Sequence, residues 1–138
     1  MSEGLTLDLA RRLIDAAEEE ARRQELRLSF AVVDAGGHVV AVARMDGADW
    51  ITPEIALGKA WTAAAFRAPS DAQGKKAKDL VAFAGSISAA THGRYTPQIG
   101  GLPIELDGAA AGGMGASGAT GQEDEAVVRV ALEGVLGG

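Results

Sequence analysis

Two cations stand where periodicity calls for apolar side chains. Arg44 ends a run whose alternation places His38, Val40, Val42 and Arg44 on one face and Val39, Ala41, Ala43 and Met45 on the other. Lys59 shares a helical stripe with Ile55, Thr62 and Phe66. Two cations on buried surfaces repel one another and cost desolvation unless an anion joins them. Asp46 is the nearest internal carboxylate. The expectation is one anion-binding pocket formed by Arg44, Asp46 and Lys59, with Thr62 beside it, suited to a small acidic metabolite. As a catalytic set, the three residues would serve a cofactor-independent lyase or isomerase acting on a small carboxylate. The plain alternatives are a snorkelling Lys59 and an edge-strand Arg44 that discourages aggregation.

His38 and His92 are the only histidines, with no HExxH and no pair sharing a helix face, so a histidine-rich metal site is excluded. Either could ligate haem iron singly; Tyr95, Met45 and Met114 are the other conceivable axial ligands. His38 follows Gly36-Gly37 in a turn, and His92 falls in an irregular region of the kind that concentrates binding residues. Ser86, Ser88 and Ser117 lack the GxSxG setting of a hydrolase nucleophile. In the glycine-rich run, Ala109, Ala111, Gly113, Gly115 and Ser117 share a face. Glycine weakens a strand, so something must approach this backbone closely: a helix, a neighbouring subunit or a flat ligand. Gly113, Gly115 and Ser117 are accordingly expected to wall the pocket.

The elements that must position these residues follow one another plainly. A helix from Thr6 to about Gln24 buries Ala10, Leu13, Ile14, Ala17 and Ala21. Leu28 to Asp34 and His38 to Met45 read as strands joined at Ala35-Gly-Gly37. Thr52-Pro53-Glu54 opens a helix to about Arg67, with Thr52 as its cap. Ser70 to Gln73 reads as a capping box opening a short polar helix, and Gly85 to Gly101 as irregular loop. Leu102 to Leu106 and Ala109 to Ser117 flank the hairpin turn Asp107-Gly108. Thr120 to Glu123 opens a last helix with the stripe Val127, Val130, Ala131, Gly134 and Val135. Two hairpins joined by helices give an α+β layered domain with an antiparallel sheet.

The 138 residues make a single domain, residues 1–138. Thirteen Lys and Arg against nineteen Asp and Glu give a net charge of −6, which argues against a nucleic-acid partner. Absence of Cys removes disulfides, thiolate chemistry and Cys-ligated metals. No basic, apolar leader and no run near the roughly 20 residues of a membrane span is present, so a cytoplasmic location off the membrane is expected. Two Trp, one Tyr and three Phe beside 19 Gly leave a lone domain short of buried area, and a homo-oligomer is expected.

Taken in order, Val32-Val-Asp-Ala-Gly-Gly-His-Val-Val-Ala41, Arg44-Met-Asp-Gly-Ala48, Lys59-Ala-Trp-Thr62, Pro69-Ser70, Gly100-Gly-Leu-Pro-Ile104 and the stretch from Asp107-Gly108 through Gly115-Ala-Ser-Gly118 resemble the GlcG/HbpS-like, or haem-degrading-domain, family. That family extends to the carboxy-terminal domain of PduO-type proteins. The resemblance spans nearly the whole chain. It implies a three-layer α-β-α domain with a five-stranded, profilin-like antiparallel sheet, homo-oligomers that are often octamers, and haem as a ligand in some members. Others sit in catabolic operons. The expected function is thus small-ligand binding, with haem or an acidic catabolic metabolite as the ligand.

Overall fold

The computed structural model describes residues 4–137. Thr6 opens α1 (Leu7–Arg23) by accepting the Leu9 N–H at 3.1 Å. Asp8 near its start and Arg22 and Arg23 near its end suit the helix dipole. Its buried stripe is the expected one. Strand β1 (Ser29–Asp34) runs through the core and pairs antiparallel with β2 (Val39–Arg44).

A bulge corrects the face assignment of β2. The register steps from Val32 opposite Ala41 to Val33 opposite Val39, leaving Val40 as the extra residue. Val39 therefore joins Val42 and Arg44 on one face, while Val40 packs with Ala41, Ala43 and Met45 against the larger core. Strict alternation misses this because period-two reading assumes unbroken pairing.

Helix α2 (Thr52–Phe66) starts without a side-chain cap, Ile51 occupying the cap position. Thr52 is instead a tie to the sheet: its hydroxyl donates to the Asp49 carbonyl at 2.7 Å and lies 2.8 Å from the Ser29 hydroxyl. Ser70 is likewise no capping residue. Residues Ser70–Gln73 form a 3-10 turn, and the buried Ser70 hydroxyl donates to the Gln98 carbonyl and accepts the Gly101 N–H. Then come α3 (Gly74–Asp79) and α4 (Val81–Ala90), the latter extending into the stretch read as loop. Gly85, Ser86 and Ser88 disguise α4, since glycine and serine are poor interior helix residues; the Ser86 hydroxyl turns back to the Ala82 carbonyl at 3.0 Å.

Strands β3 (Gly101–Leu106) and β4 (Ala109–Ser117) meet at Asp107-Gly108, both with positive φ, as the hairpin signature requires. Thr120 and Glu123 form the expected capping box of α5 (Gly121–Leu136). Its buried stripe is Asp124, Val127, Val128 and Ala131; Val130 is exposed and Gly134 carries no core contact, which shifts the expected stripe around the helix.

The sheet runs β2-β1-β4-β3, antiparallel throughout. It has four strands among the described residues, which corrects the five implied by resemblance: each hairpin contributes two, and no further segment pairs. On one face α1 and α5 cover Phe30, Val32, Leu102, Ile104 and Met114. On the other, α2 packs on Ala31 and Val33 and passes directly over the glycines of β4. No helix among the described residues is long and apolar enough to cross a membrane.

Candidate functional site

Lys59 is 5 % exposed, so it does not snorkel. Its ammonium donates to the Ala116 carbonyl at 3.0 Å and to Asp124 Oδ2 at 3.1 Å. Asp124 is 1 % exposed, and its other oxygen accepts the Ala119 N–H at 3.0 Å. The capping box of α5 fixes this carboxylate in the helix's first turns, and the close seat of α2 on β4 fixes the lysine. Burial pushes the Asp124 carboxyl above the ordinary carboxylate range; the Lys59 ammonium and the Ala119 amide pull it back. The anion that meets Lys59 is therefore internal, and it is Asp124 rather than Asp46.

Arg44 and Asp46 border a different cavity, of about 570 Å³, with Arg22, Arg27, Glu18 and Glu25 along its rim. Lys59 and Ser117 line one of about 350 Å³ with Asp124 and Gln98. The single pocket expected from Arg44, Asp46 and Lys59 thus divides in two, because Arg44 lies on the exposed edge strand and Lys59 under β4. Thr62 faces neither: its hydroxyl donates to the Gly58 carbonyl at 2.8 Å and accepts the Thr96 N–H at 2.8 Å, pinning the 94–96 loop to α2. Gly113 and Gly115 line neither of these cavities. A Cβ at Gly113 would meet the Ala60 carbonyl and Ala64 N, and one at Gly115 the Ala56 carbonyl and Ala60 N. What approaches the glycine strand is a helix of the same chain.

The histidines differ in setting. His92 is exposed after α4, with φ 56°, and borders none of the cavities described. His38 stands at the tip of the first hairpin beside a cleft of about 500 Å³ with Leu5, Leu106 and the alanines 109–111. Asp34 Oδ1 accepts the N–H groups of Gly36 and His38, each at 3.0 Å, and lies 3.3 Å from the imidazole Nδ1. Those amides hold the Asp34 carboxyl below the usual range, the His38 N–H contributing most, so it stays an acceptor for Nδ1. The other axial candidates are committed elsewhere. Met114 is fully buried, Tyr95 is buried edge-on to Phe66 at 5.9 Å, and the Met45 sulfur accepts the Leu28 N–H at 3.4 Å.

The family described as Haem degrading protein HbpS-like matches residues 5–133. The chain belongs to this family. It is 35% identical over 113 residues to Protein GlcG of Escherichia coli K12, covering 82% of this chain and 81% of that protein. A crystal structure of a Streptomyces reticuli HbpS double mutant superposes with a TM-score of 0.82 at 32% identity, over 100% of this chain and 90% of that one. A crystal structure of a PduOC–haem complex gives 0.84 at 27% identity, over 94% of each chain. Haem is thus a ligand of one relative with this fold.

Sequence reasoning missed Asp124 and Asp34. Asp124 stands 65 positions from Lys59 on the opposite helical layer, so no local spacing joins them. One signal was present: Asp124 falls at i, i+3, i+4 and i+7 with Val127, Val128 and Ala131, an acid on a buried stripe. Asp34 could have been found from Asp-x-Gly at a hairpin tip, the pattern of a carboxylate that gathers its own turn's amides.

Proposed function

We propose that the chain is a ligand-binding protein of its family that takes haem in the cleft between the two hairpin tips, with His38 as the iron ligand. The observation that carries this reading is the Asp34–His38 pair at the rim of an apolar cleft. A carboxylate 3.3 Å from Nδ1 favours the tautomer that leaves Nε2 free, the usual support of a metal-bound imidazole. Leu5, Leu106 and the alanines supply an apolar seat for a porphyrin face. Haem, when bound, would supply redox and oxygen chemistry; the chain's own part is to hold it and limit its access to water. The haem complex of PduOC supports the same ligand class.

Titration with haemin is expected to give a Soret shift that His38→Ala abolishes and His92→Ala leaves unchanged. Asp34→Asn should weaken binding by roughly tenfold, the lower end for loss of a group that orients a metal ligand. A Soret shift that survives His38→Ala would overturn the assignment. The rival reading, a lyase or isomerase gripping one carboxylate between Arg44 and Lys59, lacks geometric support, because the two cations border separate cavities.

The assembly we infer is a homo-oligomer formed through α4. This helix packs against α3 alone, and neither has a buried residue. Val81 is 72 % exposed and Phe83 49 %, beside an exposed Leu80, an apolar surface that a second copy would cover. Light scattering should report a species several times 14.0 kDa that the pair Val81→Asp and Phe83→Asp reduces. A wild-type monomer at micromolar concentration would refute this.

A further inference from the structure

The cavity beside Lys59 shares no lining residue with the His38 cleft. It contains an unmatched group. Ser117 is 6 % exposed, it lines the cavity, and its hydroxyl makes no hydrogen bond within the described residues. No sealed side-chain polar atom lacks a partner, so this oxygen is left open to the cavity. Around it, Lys59 uses two of its three donors, on Ala116 and Asp124. Asp124 keeps lone pairs beyond the bonds from Lys59 and Ala119. Gly121 and Gln122 at the start of α5 also line the cavity, and their N–H groups have no acceptor within the helix. Donors and acceptors therefore converge on one small space around a neutral ion pair.

We propose that this cavity binds a small uncharged molecule bearing hydroxyl groups, of the polyol or hydroxycarbonyl class. Charge selects the class. An anion would lie against Asp124 and a cation against Lys59, whereas a neutral guest disturbs neither partner. Hydroxyls fit because each both accepts, from Lys59 or the α5 amides, and donates, to Asp124 or Ser117. Size limits the guest: about 350 Å³ is near the lower end of the roughly 300–1,000 Å³ common for ligand pockets. Ile55, Ile99 and Ala119 provide the apolar wall for its carbon skeleton.

Saturation-transfer NMR on the full chain tests this with two probes of matched size, glycerol and glycerate. Glycerol should receive saturation from the protein, and Ser117→Ala should weaken it by about fivefold, the net worth of one hydrogen bond. Glycerate should bind at least several-fold more weakly at pH 7. His38→Ala should leave the glycerol signal intact, which separates this cavity from the haem cleft. Urea denaturation of Ser117→Ala should show a native fold, so that loss of signal reports on binding. No transfer to glycerol, an unchanged signal in folded Ser117→Ala, or tighter binding of glycerate would each overturn the proposal.

Discussion

Lys59→Met is expected to cost about 3–5 kcal/mol of folding stability at pH 7, measured by urea denaturation. Methionine keeps much of the packing volume of the lysine stem, so the cost comes from charge. Without the ammonium, Asp124 is left 1 % exposed with one backbone N–H as its sole partner, and it must take up a proton to remain inside. Burial already raises this carboxyl in the wild type, and loss of Lys59 raises it further. A carboxyl raised in the folded state contributes stability that is full below its unfolded pKa and is lost as pH rises through the folded one. The deficit of Lys59→Met should therefore narrow as pH falls towards 4 and widen towards 7. Asp124→Asn should also be costly at pH 7, because it leaves the buried Lys59 ammonium without a counter-charge and turns an amide NH2 towards either that ammonium or the Ala119 N–H. The double replacement Lys59→Met with Asp124→Leu should recover much of the loss, since an apolar pair can replace a buried ion pair. A deficit below about 1 kcal/mol at pH 7, the scale of an exposed pair, would mean that Lys59 is solvated after all.

This pair also marks how far the sequence could be read. The helices α1 and α5, both hairpins and the antiparallel sheet were legible because caps, turn residues and periodicity agree there. Where they disagree the reading failed. Thr52 and Ser70 looked like caps, yet each was drawn into a tertiary bond, to Ser29 and to the 98–101 segment, that no local pattern encodes. Helix α4 was hidden because it buries nothing within the chain, so the amphipathic signal that marks most surface helices is missing. At the site, that Lys59 sits on an inward surface was legible; its partner was not. Sequence spacing placed Asp46 next to Arg44, and that adjacency is real, but the sheet edge carries both away from Lys59. Long-range pairing decides which acid meets which base, and one chain without its fold does not contain that distance.

The glycines of β4 give the second large effect, and their meaning was half legible. Close approach was foreseen; a helix rather than a ligand is what approaches. Gly115→Ala is expected to destabilise by about 3 kcal/mol, at the upper end for overpacking. The added Cβ would run into the Ala56 carbonyl, Ala60 N at 2.7 Å and Lys59 Cβ at 3.1 Å. Two of these atoms are backbone of α2, so no rotamer change relieves the clash and the helix itself must lift. Lifting α2 also draws Lys59 from Asp124, so the variant should lose part of the stability expected from that ion pair. Gly134→Ala is the control. Nothing lies within 4 Å of its Cβ position on α5, and the change should stabilise by roughly 0.5–1 kcal/mol through helix propensity. Equal, small effects at both positions in urea denaturation would show that α2 rides loosely over the sheet. In that case the close seat that holds Lys59 beneath β4 could not be what positions the ion pair.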